Sequence, residues 1–254
     1  MNTVLNAGLV KIRSRSVDIK HDKIAVIDYE MGNLFSVVRA CEHVGLKPVV
    51  TSEASTIMAS DALILPGVGA FGDAMQNLKR LDLVSPIKDH IASGKPFLGI
   101  CLGLQLLLSE SEEFGSHKGL DIVKGTVVRF PTSKKKGHPS VKVPQVGWNR
   151  IYRTPHADDA IWERYPLKGV QHNTFMYFVH SFYVIPEDSN VVLTYTNYEG
   201  TEYASSILKE GIFACQFHPE KSAMEGMKIY KNFAELVNRR GVHARKIRNE
   251  IRPA

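Results

Sequence analysis

GICLGLQLLL, residues 99–108, decides the fold. It ends one apolar run (Pro96, Phe97, Leu98, Gly99, Ile100) and opens a second, Leu102 to Leu108. The first has the length of a buried strand, and the second reads as a helix over 102–108. Cys101 sits at the corner between them. Gly99 and Gly103 permit the tight backbone that such a corner needs. A reactive residue at a strand-to-helix corner is the nucleophile-elbow pattern, here with cysteine in place of serine. On this segment alone Cys101 is either a nucleophile or a buried thiol between two glycines.

Working outward, strands and helices alternate. Ile24 to Asp28 reads as a buried strand. Leu34, Val37, Val38, Cys41 and Val44 then share a helical stripe that Gly45 ends. Cys41 therefore reads as core. Val49-Val50 and Ala62 to Leu65 read as further strands, and 73–80 and 85–93 as helices. This order predicts an α/β fold of three layers, a mostly parallel central sheet with flanking helices. After about residue 122 the texture becomes β-rich, with short runs at 122–130, 146–152, 177–184, 191–197 and 203–208. A last apolar strand, 211–217, leads into His218-Pro219-Glu220, and a final helix covers about 222–239.

The chain has 254 residues and a net charge of +6. Residues 1–23 carry +3 and 239–254 carry +5, so the body between them is slightly acidic. The basic charge lies on the two ends, which argues against nucleic-acid binding. The lysine run 134–136 reads as a solvated loop. No apolar run is long enough to span a bilayer, and the start has no long apolar segment of a secretory signal. Residues 1–22 read as a polar, mobile extension. The three cysteines show no CxxC spacing, which argues against a disulfide framework or a zinc site and fits a reducing, cytoplasmic setting. No metal or other cofactor is expected.

A nucleophilic thiol needs a base, and the base needs an orienting group. QFHPE supplies both at the end of the last strand. His218 is the candidate base and acid, and Glu220 the carboxylate that fixes its tautomer. His180, in YFVHSFYV, is a second candidate base, but no carboxylate lies near it in sequence. It reads better as structural support of the pocket. PGVGAF, residues 66–71, places two glycines after a strand at the sheet's carboxyl edge, where ligands of open α/β sheets bind. It is either an oxyanion site or a plain glycine turn.

Together DYEMGNLFSV (28–37), LPGVGAFGDAM (65–75), GICLGLQLL (99–107), PQVGWNRI (144–151), YFVHSFYV (177–184) and QFHPEKS (216–222) resemble the class I, or triad, glutamine amidotransferases. More narrowly they resemble the glutaminase subunits of imidazole glycerol phosphate synthases. The resemblance covers about 24–238. It implies a flavodoxin-like amidotransferase domain over 23–240, followed by a basic tail over 241–254.

The resemblance implies hydrolysis of L-glutamine through a thioester on Cys101, with His218 and Glu220 completing the triad. It implies oxyanion donors from Leu102 and from Gly67 or Val68. Gln105 and the backbone of Ser181 and Phe182 would hold the substrate. It further implies a heterodimer with a (β/α)₈ cyclase that receives the ammonia for histidine biosynthesis. Asn33, Gln145, Trp148, Asn149 and Lys221 would face that partner.

Three departures stand out. Glu30 replaces a common glycine, PQVGWN replaces PHMGWN, and VHSFY replaces VHSYY. They leave open a paralogue that supplies ammonia to a nucleotide-sugar or surface-polysaccharide synthase. A cysteine peptidase would share the elbow without needing PGVGAF or the terminal HPE, and an inactive scaffold would be expected to lose a triad member.

Overall fold

The computed structural model describes residues 23–131, 142–163 and 166–250. The sequence-predicted extension (1–22) and the lysine run 134–136 lie outside them. In chain order the first half runs β1 (Lys23–Ile27), α1 (Leu34–His43), β2 (Lys47–Thr51), α2 (Ala54–Ala59), β3 (Ala62–Gly67), α3 (Phe71–Arg80), α4 (Val84–Ala92), β4 (Phe97–Cys101) and α5 (Leu102–Gln105). Strands β5 (Leu108–Ser111), β6 (His117–Lys118), β7 (Val123–Arg129) and β8 (Gln145–Arg153) follow, then α6 (Asp159–Trp162). The chain continues through β9 (Thr174–His180), β10 (Phe182–Pro186), β11 (Val192–Tyr198), β12 (Thr201–Lys209) and β13 (Ile212–Cys215) to α7 (Ala223–Glu250).

The spine is the order β2-β1-β3-β4-β13, and every pair in it is parallel. Alternation along β1 explains the layering. Ile24 and Val26 point to one face, where they pack with Val37 and Cys41 of α1 and with Ile229, Tyr230 and Phe233 of α7. Ala25 and Ile27 point to the other, against Ile57 of α2, Phe71 and Leu78 of α3, and Ile87 of α4. Side chains of successive strand residues face opposite ways, so a strand covered on both sides reads as a continuous apolar run. Beyond β13 the sheet turns antiparallel through β12, β10 and β7. That is the expected β-rich portion. A branch, β11-β8-β9, leaves this edge.

Two expectations need correction. The helix over 102–108 stops at Gln105, and Leu108 begins β5. The carbonyls of Leu106, Leu107 and Leu108 are taken instead by the N–H groups of Leu120, Ile122 and Asp121. Leu106 to Leu108 form a short apolar run with no period that separates helix from strand. The last helix also runs past 239, to Glu250. The short α2 was not foreseen.

Glu30, the first departure from the family pattern, has φ +67° and so occupies the left-handed region that glycine tolerates best. Its N–H is held by Asp28 Oδ1 at 3.0 Å, and its carboxylate pairs with Arg80 of α3.

The elbow is locked against β3. A Cβ on Gly103 would lie 1.8 Å from the Leu65 carbonyl oxygen. Gly103→Ala is therefore expected to destabilise the fold by about 3 kcal/mol or more, read as a lower midpoint in urea unfolding.

Candidate active site

Cys101 closes β4 with φ 55° and ψ −107°, a backbone geometry that non-glycine residues rarely adopt. Strain of this kind persists only where the surroundings hold it. Leu65 and Gly103 hold one side. On the other, a Cβ on Gly99 would meet Ala214 of β13 at 2.9 Å. The thiol is buried. Its Sγ lies 3.9 Å from the Val179 carbonyl and 3.5 Å from Gln216 Nε2.

Strand β13 lies parallel to β4 with Cys215 opposite Ile100. The chain leaving β13 therefore emerges beside Cys101. A short 3₁₀ turn, Pro219–Lys221, folds Glu220 back under His218. The carboxylate Oε1 stands 2.7 Å from His218 Nδ1, and both side chains are buried. His218 N–H donates to the Tyr177 carbonyl at 2.9 Å, and Tyr177 N–H donates to Ser222 Oγ at 3.0 Å. Strand β9 thus grips the turn that carries the imidazole.

Burial alone would lower the His218 pKa. A thiolate charge on Cys101, hydrogen bonding at that sulfur and the Glu220 carboxylate outweigh it and raise the value to about 10. Nε2 has no well-aligned hydrogen bond among the described residues, so the sulfur acts on it mainly as a charge. His180 differs. Its Nδ1 is 2.8 Å from the Phe182 carbonyl and its Nε2 is 3.2 Å from Tyr203 Oη. Burial pushes it down to about 3, so it is a neutral imidazole with both nitrogens engaged.

A cleft of about 260 Å³ opens at Cys101. Val68, Leu102, Gln105, Ser181 and Phe182 line it, so most of the expected oxyanion and substrate residues meet there. Gly67 pairs in register with Cys101 behind the wall. Val68 is 40% exposed, and its backbone makes no hydrogen bond among the described residues.

Three residues in or behind this wall had no role assigned from sequence. Tyr29 donates to the Pro66 carbonyl at 2.8 Å, and a Cβ on Gly67 would lie 2.1 Å from its Oη. It sits in DYEMGN, which gave no hint of a partner 37 residues away. Glu113 lines the cleft, and its Oε2 accepts the Phe71 N–H at 2.7 Å. Burial raises its pKa against the pull of that N–H and of His117. Nothing in SESEEF distinguishes it from the glutamates beside it. Gln216 is fully buried, one position after β13.

The expected partner face is only partly assembled. Trp148 is 52% exposed and stacks edge-on to Tyr177, whose ring also lies 5.8 Å from Lys221 Nζ. Asn33 caps α1 by accepting the Ser36 N–H. Asn149 donates to the Asn197 carbonyl. Gln145 is a correction. It is buried against Tyr203 Oη at 2.9 Å, because its place on β8 opposite His180 turns it inward.

The class I glutamine amidotransferase model matches residues 25–236. The chain belongs to the class I glutamine amidotransferases. Imidazole glycerol phosphate synthase subunit HisH of Aquifex aeolicus is 49% identical over 212 residues, which cover 83% of this chain and 95% of that protein. The HisH subunit of Geobacter sulfurreducens is 45% identical, with 84% and 99% covered. A crystal structure of a putative GMP synthase subunit from Thermoplasma acidophilum gives a TM-score of 0.62 at 18% identity, with 88% of this chain and 98% of that one covered. PurLQS from Thermotoga maritima gives 0.60 at 18%, with 87% and 99% covered. These two share the amidotransferase fold.

His218 binds its proton more tightly folded than unfolded. The resulting stability is fully present below its ordinary value near ~6.5 and is lost as pH rises toward about 10. Urea unfolding from pH 6 to 10 is expected to show this decline, and His218→Gln is expected to flatten it.

Proposed function

We propose that this amidotransferase is the glutaminase subunit of an imidazole glycerol phosphate synthase. The observation that carries its chemistry is the buried His218–Glu220 pair facing a sulfur on a strained corner. His218 holds, as imidazolium, the proton that Cys101 has given up, and the thiolate attacks the side-chain carbonyl carbon of glutamine. The oxyanion is held by N–H groups of Leu102 and of Gly67 or Val68. As the C–N bond breaks, His218 gives its proton to the departing ammonia. Water, deprotonated by His218, then cleaves the thioester and releases glutamate. Glu220 holds the imidazole with Nδ1 as donor, so Nε2 is the nitrogen that exchanges protons.

Gln105, Glu113 and the backbone of Ser181 and Phe182 hold the amino-acid end of the substrate. The Glu113 carboxylate suits an ammonium group. Helix α5 is a single turn, so its free N–H groups matter more than any helix dipole. Tyr29 anchors the Pro66–Gly67 peptide, leaving the next peptide as the part of the oxyanion strand free to turn.

The partner is a separate (β/α)₈ cyclase in a heterodimer. It combines the ammonia with a phosphoribosyl-formimino carboxamide ribonucleotide to give imidazole glycerol phosphate and aminoimidazole carboxamide ribonucleotide. This choice of acceptor, over a sugar, is supported by the HisH relatives that match nearly end to end. Exposed Trp148, Val146, Phe35 and Met224, with Lys221, offer an apolar and basic surface for it.

Cys101→Ser is expected to lower kcat for glutamine hydrolysis by about 10⁴-fold or more, and Glu220→Gln by about 10²–10⁴-fold, measured as glutamate release with the cyclase present. Glu113→Gln is expected to raise KM for glutamine by about tenfold or more with a smaller effect on kcat. Expression in cells lacking this component of the synthase should restore growth without histidine. Failure to do so, with restored sugar amidation instead, would favour the paralogue.

A further inference from the structure

Gln216 has no part in the reaction above, yet its side chain touches the reacting sulfur. It is fully buried, and its amide bridges two groups. Oε1 accepts from Gln105 Nε2 at 3.1 Å, and Nε2 lies 3.5 Å from Cys101 Sγ. An amide can be turned over, so the end that faces the sulfur needs a fixed reference. The Phe182 carbonyl supplies it, because a carbonyl oxygen can only accept. It lies 3.0 Å from Gln105 Nε2 and so fixes that amide with its NH₂ toward both Phe182 and Gln216. The Gln216 oxygen must then face Gln105, and its NH₂ must face the sulfur. The reverse arrangement would set two NH₂ groups against each other where no water can intervene.

We infer that Gln216 is a catalytic residue that donates a hydrogen bond to Cys101 Sγ, with its amide direction set through Gln105 by the Phe182 carbonyl. A donor stabilises the thiolate over the thiol, and a neutral amide does so at every working pH. It also fixes where the sulfur points on the strained corner. The inference rests on the reading of Cys101 as the nucleophile.

The groups facing the sulfur are few. Tyr29 follows β1, Tyr203 lies on β12 and Cys215 on β13. Burial raises the pKa of all three and holds them neutral. Among the described residues, charge comes from the His218–Glu220 pair and from the Glu113 carboxylate, which lines the same cleft, while burial keeps His180 neutral. An effect of Gln216 is therefore read on the acid limb of the coupled Cys101–His218 titration.

The test is the pH dependence of alkylation by iodoacetamide, followed on the peptide containing Cys101 so that Cys41 and Cys215 do not contribute. Gln216→Met removes the donor at similar length. Gln216→Glu keeps the shape and the acceptor for Gln105 but sets a negative oxygen against the sulfur. The midpoint is expected to move up by about one pH unit in the first variant and further in the second. The kcat for glutamine hydrolysis should fall about tenfold or more in both, with KM changed less. Unchanged midpoints in folded variants would overturn the inference. If Gln216→Met does not fold, Gln216→Glu decides alone. Absence of glutaminase activity in the unaltered chain would sink the functional reading, and the alkylation profile would still decide the sulfur contact.

Discussion

The parallel pairing of β4 with β13 is the constraint on which the site depends. Ile100 and Cys215 are register partners although 115 positions separate them. Parallel neighbours end at the same edge of a sheet, so the residues that follow them leave side by side. Cys101 and His218 become neighbours by that rule before any side chain is chosen. The apolar runs that build the two strands are thus also what brings the thiol beside the His218 imidazole. A slip of one residue would turn one partner to the opposite face and separate them.

Much of this was legible in the sequence because the parallel half is written in strong signals. Its strands are continuous apolar runs, its helices are striped, and Gly45 and Gly94 punctuate them. The corner at Cys101 and the turn at His218 are each local, and each is marked by glycine or proline. The short α5 escaped because Leu106 to Leu108 are all apolar and their carbonyls find partners around Leu120 and Ile122, a tertiary event with no local trace. Tyr29, Glu113 and Gln216 escaped for the same reason. Each acts through a contact that only the folded sheet creates. Gln145 was misplaced because a motif says which residues are present but not which face of a strand each occupies.

Two buried histidines, His180 in the cleft wall and His218 behind it, occupy opposite electrostatic environments. His180 is desolvated, its ring nitrogens meet a carbonyl and a phenol, and the charge on His218 also disfavours a second proton there. His218 is equally buried but meets a carboxylate and a sulfur, so charge is what its surroundings favour. Burial is common to both, and the neighbours alone separate their chemistry.

In strand pairing the β8–β9 ribbon meets the rest of the sheet along a short stretch of β11, while Ile151, Met176 and Phe178 pack it into the core. At its other margin it is bonded to the backbone of His218. Tyr177, the register partner of Trp148, is itself the residue whose carbonyl holds the His218 N–H, so a protein that pressed on this pair would push directly on the turn that carries the imidazole. An exposed aromatic surface at the outside and the buried imidazole at the inside therefore share a single piece of backbone, with no relay of side chains between them.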